Sequence, residues 1–280
     1  MKTFRMIGMA LFAVLMCVNF DSCSSDDDDD STEEKEEGGV VVSGKKITKI
    51  VGQTEGGSYL ETYTFSYDNK GRLVKAVEKE QEDNYTSTDT FDFIWGDDAI
   101  KVTEKSTYSG SSSTYTESYT LILNNGLVQY EDYGDDDGVG TYTYNSSNRL
   151  IKFSDGGSWA ETAIWDGDKL VSKTDGSEEG KLSYGKSCKK GYFPLIASIM
   201  EAGECNILYM AHPEIAGMRT TQCPTSITWT DTDDYSGGTD SETKNITYEF
   251  DKDGYISKIT IKTTYKDDST DTATLTLTWE

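Results

Sequence analysis

Histidine occurs once in this chain, at position 212, and that scarcity removes most site chemistries at the outset. A metal centre built on several histidines is excluded, and a Ser-His-Asp arrangement would have to use His212. Its context, AHPEIAG, holds no recognisable nucleophile, and no G-x-S-x-G elbow occurs in the chain. No Cys-x-x-Cys pair is present, so a zinc site has little to start from. Positive charge is also short. Against 50 Asp and Glu stand 26 Lys and Arg, a net charge of −24. Nucleic acid and an anionic bilayer surface are thereby excluded as partners of the body, since nothing would neutralise their phosphates. Proline occurs only three times, whereas Gly occurs 26 times and Tyr 18 times. Tyr with abundant Thr favours strands, and Gly favours the turns between them.

The chain begins with Lys2 and Arg5, followed by the apolar run MIGMALFAVLMCVNF (6–20). That run falls short of the roughly 20 residues that span a bilayer and reads as an export signal. It ends in NFDSC, then SSDDDDDSTEEKEE. The Ser22–Cys23 junction resembles the lipobox of bacterial lipoproteins. The resemblance implies cleavage before Cys23 and acylation of its thiol and new amino group. Removing residues 1–22, which carry Lys2, Arg5 and Asp21, takes the net charge from −24 to −25. Residues 23–44 are too charged to bury anything and are expected to form a solvated tether of up to roughly 70 Å. A cysteine followed by an acidic cluster also resembles the signal that sends lipoproteins of some gut Gram-negative bacteria to the cell surface. The expected location is the outer membrane, lipid-anchored and facing outward, with the lipid as the only membrane contact.

The remainder, 45–280, repeats itself. YTFSYDNKGRLVK (63–75), FDFIWGDDAIKV (91–102), YTLILNNGLVQY (119–130), YTYNSSNRLIKF (142–153), AIWDGDKLVSK (163–173) and YEFDKDGYISKI (248–259) share one plan. Each has alternating residues ending in an aromatic or Leu, a few turn residues, then an apolar restart, which is a β-hairpin. The key positions are Tyr67, Trp95, Leu123, Tyr144, Trp165 and Phe250. In 271–279 one face carries Ala273, Leu275, Leu277 and Trp279, and the other only Thr. One polar and one apolar face mean a sheet with one side in water. A lipid-facing apolar band is lacking, so the apolar face points at the protein's own core. Some 14 to 16 strands are expected, too many for an open twisted sheet. Closure removes the edges, and KKITKIV (45–51) with TATLTLTW (272–279) is the expected closing pair.

YDNKGRL and FDKDGYI resemble the YD repeats of Rhs-type shells. The whole arrangement resembles a family of uncharacterised gut-bacterial lipoprotein domains with a porin-like fold. That resemblance implies an all-β antiparallel up-and-down meander curled into a barrel or half-barrel, and brings no catalytic residues.

The repeat breaks over about 186–224. Leu195, Ile196, Ile199 and Met200 have helical spacing, Pro194 suits a first turn and Gly203 a stop, so a short helix is expected over 194–202. An irregular apolar loop follows, either a plug at one end of the barrel or a pocket-forming loop carrying His212. Cys188, Cys205 and Cys223 allow at most one disulfide and leave one thiol free. Acid-rich turns such as DNKG and DKDG are explained by hairpin chemistry rather than by an EF-hand. Among so many carboxylates no glycosidase pair can be singled out. Trp95, Trp165, Trp229 and Trp279 end apolar faces and are expected in the core. Trp159, in DGGSWAE, stands outside the repeat and is the candidate ligand platform. No catalytic residue, metal site or cofactor is assigned. The expected role is binding or scaffolding of an extracellular protein or glycan, with a glycan-capture module or a carbohydrate-active enzyme as the alternative.

Overall fold

The computed structural model describes residues 44–82, 85–134, 139–157, 159–176, 178–185, 190–233 and 238–280. The signal at 1–22, Cys23, nearly all of the tether and Cys188 lie outside the described residues.

Sixteen antiparallel strands follow the chain. They are β1 (Ile47–Thr54), β2 (Tyr59–Tyr67), β3 (Leu73–Glu82), β4 (Tyr85–Trp95), β5 (Ala99–Tyr108), β6 (Tyr115–Asn124), β7 (Leu127–Asp132) and β8 (Val139–Tyr144). Then come β9 (Leu150–Ser154), β10 (Ala160–Asp166), β11 (Lys169–Asp175), β12 (Glu178–Tyr184), β13 (Pro224–Asp233), β14 (Gly238–Phe250), β15 (Ile256–Tyr265) and β16 (Thr270–Trp279). Each pairs with its sequence neighbours, and β1 pairs with β16, so the meander is a closed barrel rather than a half-barrel. The closing pair is the one the sequence indicates. Inward positions carry the apolar residues of each alternation, as in Tyr63 and Phe65 of β2 or Leu275 and Leu277 of β16. Outward positions carry Lys101, Lys105 and Thr107 on β5 and the threonines of β16.

The repeated motif has a physical basis at the turn end. In YDNKG the Asp68 carboxylate accepts the backbone N–H groups of Lys70 and Arg72, both at 2.9 Å. Asn145 does the same for Ser147 and Arg149, and Asp251 for Asp253 and Tyr255. This side-chain cap pre-forms the loop. The aromatic before it serves the neighbouring hairpin. Next to most of these turns the ladder slips by one residue, and the carbonyl at the slip needs a new donor. Trp95 Nε1 donates to Leu73 O at 2.7 Å, Trp165 Nε1 to Leu150 O at 2.7 Å, Tyr184 OH to Leu170 O at 2.8 Å and Trp279 Nε1 to Ile256 O at 2.8 Å. Tyr67 OH reaches Ile47 O, Tyr144 OH reaches Val128 O, and Tyr248 OH reaches Pro224 O. Among the pairs that meet at this turn end, β4–β5 has no slip, and the strand that would serve it carries Leu123, which cannot donate; at Phe250 the donor is Tyr248, two residues earlier. Donor and slip occur together or not at all.

The interruption, between β12 and β13, folds into the barrel from this same turn end. It holds two short helices, α1 (Ile196–Met200) and α2 (Asn206–Ala211), and a 3-10 turn (Pro213–Ala216). The expected helix shortens to α1, and the stretch read as an irregular loop contains α2. All side chains of both helices are buried, so α2 has no polar face to mark it in the sequence. The segment is a plug.

Candidate functional site

The plug fills the turn end, so the opposite end is where the interior stays polar. Inward positions there are acidic: Glu61 on β2, Glu78 and Glu80 on β3, Glu104 on β5, Glu131 on β7 and Glu161 on β10. All but Glu104, which accepts from Ser106, take part in three arrangements, and an open cup lies at the same end.

Glu131 locks the plug. Its carboxylate accepts from Tyr133 OH at 2.5 Å, Tyr142 OH at 2.8 Å, Tyr209 OH at 3.0 Å and Glu204 N at 3.0 Å. Burial raises its pKa, and these donors oppose the rise. Tyr209 and Glu204 belong to the plug, so one wall carboxylate holds α2 and the loop before it.

Lys173, fully buried on β11, is ringed by carboxylates. Its Nζ lies 2.7 Å from Glu161, 3.1 Å from Glu201 and 3.4 Å from Asp175. Burial would lower its pKa, but Glu161 and Glu201 outweigh that and raise it, so the ammonium stays charged. Glu201 caps α1, which makes this a second link from plug to wall.

The third arrangement, Glu61–Glu78–Glu80, has one carboxylate oxygen from each residue within 4.8 Å of the others. Glu61 and Glu80 are direct cross-strand partners. Burial, then the charge of Glu78, holds Glu61 well above the usual carboxylate range. Burial pushes Glu78 up to about 7; its hydrogen bond with Glu61 and then that with Tyr63 oppose the rise, and the charges of Glu80 and Asp89 add to it.

The cup itself is a cavity of about 900 Å³ at the mouth, over β12 to β15 and the turn after β15. Carboxylates of Glu178, Asp231, Asp240, Glu242 and Asp267 line it, with Lys266, Ser241, Tyr265 and Trp229. Lys173 and Lys244 sit against the Trp229 ring, 5.3 and 5.6 Å from its centroid. Sequence reading placed Trp229 in the core. It packs against the core but also faces the cup, because β13 continues past the plug.

The remaining residues singled out from sequence lie apart. Trp159 is 37% exposed, with its ring edge-on to Phe153 at 5.8 Å, and it is not among the cup's lining residues. Trp95 and Trp165 cap carbonyls at the plugged end, and Trp279 is buried there against Tyr192. His212 is a packing residue. Its Nε2 accepts Leu73 N–H at 3.1 Å, its Nδ1 meets Glu214 at 2.9 Å, and Tyr67 and Trp95 present ring edges to it. Cys223 is disulfide-bonded, and Cys205 is free and buried. The inward glutamates went unnoticed in the sequence. Their signal is parity counted from Ala76: the ladder slip after Leu73 moves the inward face to even positions, so Glu78 and Glu80 point inward and Lys79 outward.

No family model matches the chain, and no curated protein matches it. Among solved structures, a porin-like protein from Bacteroides uniformis aligns with a TM-score of 0.57 at 17% identity, over 84% of this chain and 98% of that one. A porin-like protein from Bacteroides vulgatus aligns with a TM-score of 0.36 at 13% identity, over 85% and 99%. The first likeness establishes a porin-like barrel fold for this chain.

Proposed function

We propose that this protein is a non-catalytic capture barrel, held at the outer membrane through lipid on Cys23 and displayed outward on its acidic tether. The observation that carries the reading is the asymmetry of the barrel. One end is filled by a hydrogen-bonded plug and the other opens as an acidic cup, while the outer wall is mostly Thr, Ser, Lys and Glu, with Ile94, Ile122, Tyr130, Ile164 and Val171 exposed among them. A charged side chain on a lipid-facing wall costs about 2–4 kcal/mol at mid-bilayer. Lys101 and Lys105 on one strand argue for a wall in water. A plugged interior argues for holding a ligand rather than conducting one.

Of the cup's five carboxylates, Glu242 is ion-paired with Lys244 at 2.5 Å; the other four against one lining lysine favour a small ligand bearing amino or several hydroxyl groups, such as an amino sugar. His212 and Cys205, the side chains most suited to acid-base or nucleophilic work, are both committed to packing, which supports a binding role over an enzymatic one. A second reading places a glycan on the exposed face of Trp159. A glycan array that includes amino sugars, probed with the purified chain, tests both. Retention that is lost with Asp231→Asn supports the cup. Retention lost only with Trp159→Ala moves the ligand to the rim. The absence of any retained glycan contradicts this ligand class.

A further inference from the structure

We propose that Glu61, Glu78 and Glu80 form a binding site for a hard divalent cation, with calcium the preferred ion. The site is separate from the cup, and the inference does not depend on the reading above.

The three carboxylates come from two adjacent strands and point to one place inside the wall. Two oxygens bound to one calcium at roughly 2.4 Å can be no more than about 4.8 Å apart. The triad's oxygens meet that bound. Their other contacts fix them in position. Tyr63 OH donates to Glu61 Oε1 at 2.6 Å and to Glu78 Oε1 at 3.1 Å. Tyr59 OH donates to Glu80 Oε1 at 3.1 Å, and Ser87 Oγ to Glu80 Oε2 at 3.1 Å. These hydroxyls orient the carboxylates as an outer shell does around a metal.

One oxygen is left over. Glu61 is 1% exposed, and outside the triad its Oε2 has no hydrogen-bond partner. A buried carboxylate oxygen without a partner is costly, and the cost rises when two further carboxylates face it. The same barrel holds a second such triad, whose buried Glu161 likewise lacks hydrogen-bond donors but has a lysine ammonium beside it. Glu161, Asp175 and Glu201 converge equally closely, and Lys173 stands among them at 2.7 to 3.4 Å. Among the described residues no Lys or Arg pairs with Glu61, Glu78 or Glu80, and the neighbouring Lys79 is exposed on the outer face. One triad carries its own cation, and the other has only oxygen donors. An all-oxygen, carboxylate-rich set without nitrogen or sulfur selects the calcium and magnesium class, and calcium tolerates its irregular geometry better. The competing account is a proton shared between Glu61 and Glu78.

Calorimetric titration of the purified, chelator-treated chain with calcium chloride at neutral pH separates the two. The expected result is one calcium per chain, a melting temperature raised by several degrees over that in chelator, and terbium emission sensitised by Tyr59 and Tyr63. Glu61→Gln should weaken binding by at least about ten-fold and keep the β-sheet circular dichroism. The exposed-turn variant Asp97→Asn should leave binding unchanged. If Glu61→Gln does not fold, Glu80→Gln carries the same expectation. Absence of calcium-dependent heat and melting shift overturns the proposal in favour of the shared proton. Equal calcium binding by the wild type and both glutamine variants overturns it in favour of the exposed acidic loops.

Discussion

Single inward carboxylates decide much of this interior, and their partners decide whether each is an anchor or a strain. Glu131 is satisfied four times over and ties plug to wall. Gly203 lies against it with φ +83°, and an added Cβ would come within 2.3 Å of the Glu131 carboxylate, so no other residue fits there. Glu78 is the opposite case. Its folded-state pKa is about 7, against an ordinary value of 4.5. Glu61 and Tyr63 from β2, Glu80 on its own strand and Asp89 from β4 face it. Between these two values the folded chain binds more protons at Glu78 than the unfolded chain does. Stability contributed by this group therefore falls as pH rises through that window. In chelator, the melting temperature should drop from about pH 5 to about pH 8 more steeply for wild type than for Glu78→Gln. Equal slopes would show that Glu78 does not titrate in this way.

At the level of the element, the aromatic-turn-apolar repeat joins two devices that serve different hairpins. The Asp or Asn shapes its own loop, while the aromatic satisfies a carbonyl on the hairpin before. Tyr67→Phe keeps the ring and removes only the hydroxyl that donates to Ile47 O. It should cost about 1–3 kcal/mol in denaturant unfolding. Leu123→Met, at the one position with no displaced carbonyl to serve, should cost less than about 1.5 kcal/mol. If the two cost the same, the aromatic tips are packing groups and nothing more. The repeat itself was legible because period-2 alternation and turn residues are local properties. Strand number called for a curled sheet, barrel or half-barrel, and the β1–β16 pairing of the structure decides for closure. The slipped carbonyls were not legible, since nothing in LVK or LIK announces which residue leaves the ladder. Helix α2 escaped for a related reason. NILYMA is buried on every side, and a segment without a wet face loses the 3.6-residue contrast by which helices are recognised. The acidic triad was hidden by abundance, because the parity that turns three of 50 carboxylates inward emerges only once the strands are in register.

For the whole molecule, the central question is what the barrel wall faces. A porin-like fold suggests strands in a membrane, yet here the alternation puts Thr and Lys outside, apolar and acidic residues inside, and a plug at one end. Under the proposed function all membrane attachment runs through Cys23, and the barrel stands in water. Membrane fractionation of cells producing the full-length chain and its Cys23→Ala variant tests this most directly. The wild type should sediment with outer membranes and need detergent for release. Cys23→Ala should appear in the soluble fraction with the same β-sheet circular dichroism. A folded Cys23→Ala barrel that still requires detergent would contradict the account, because the wall itself would then be holding the bilayer.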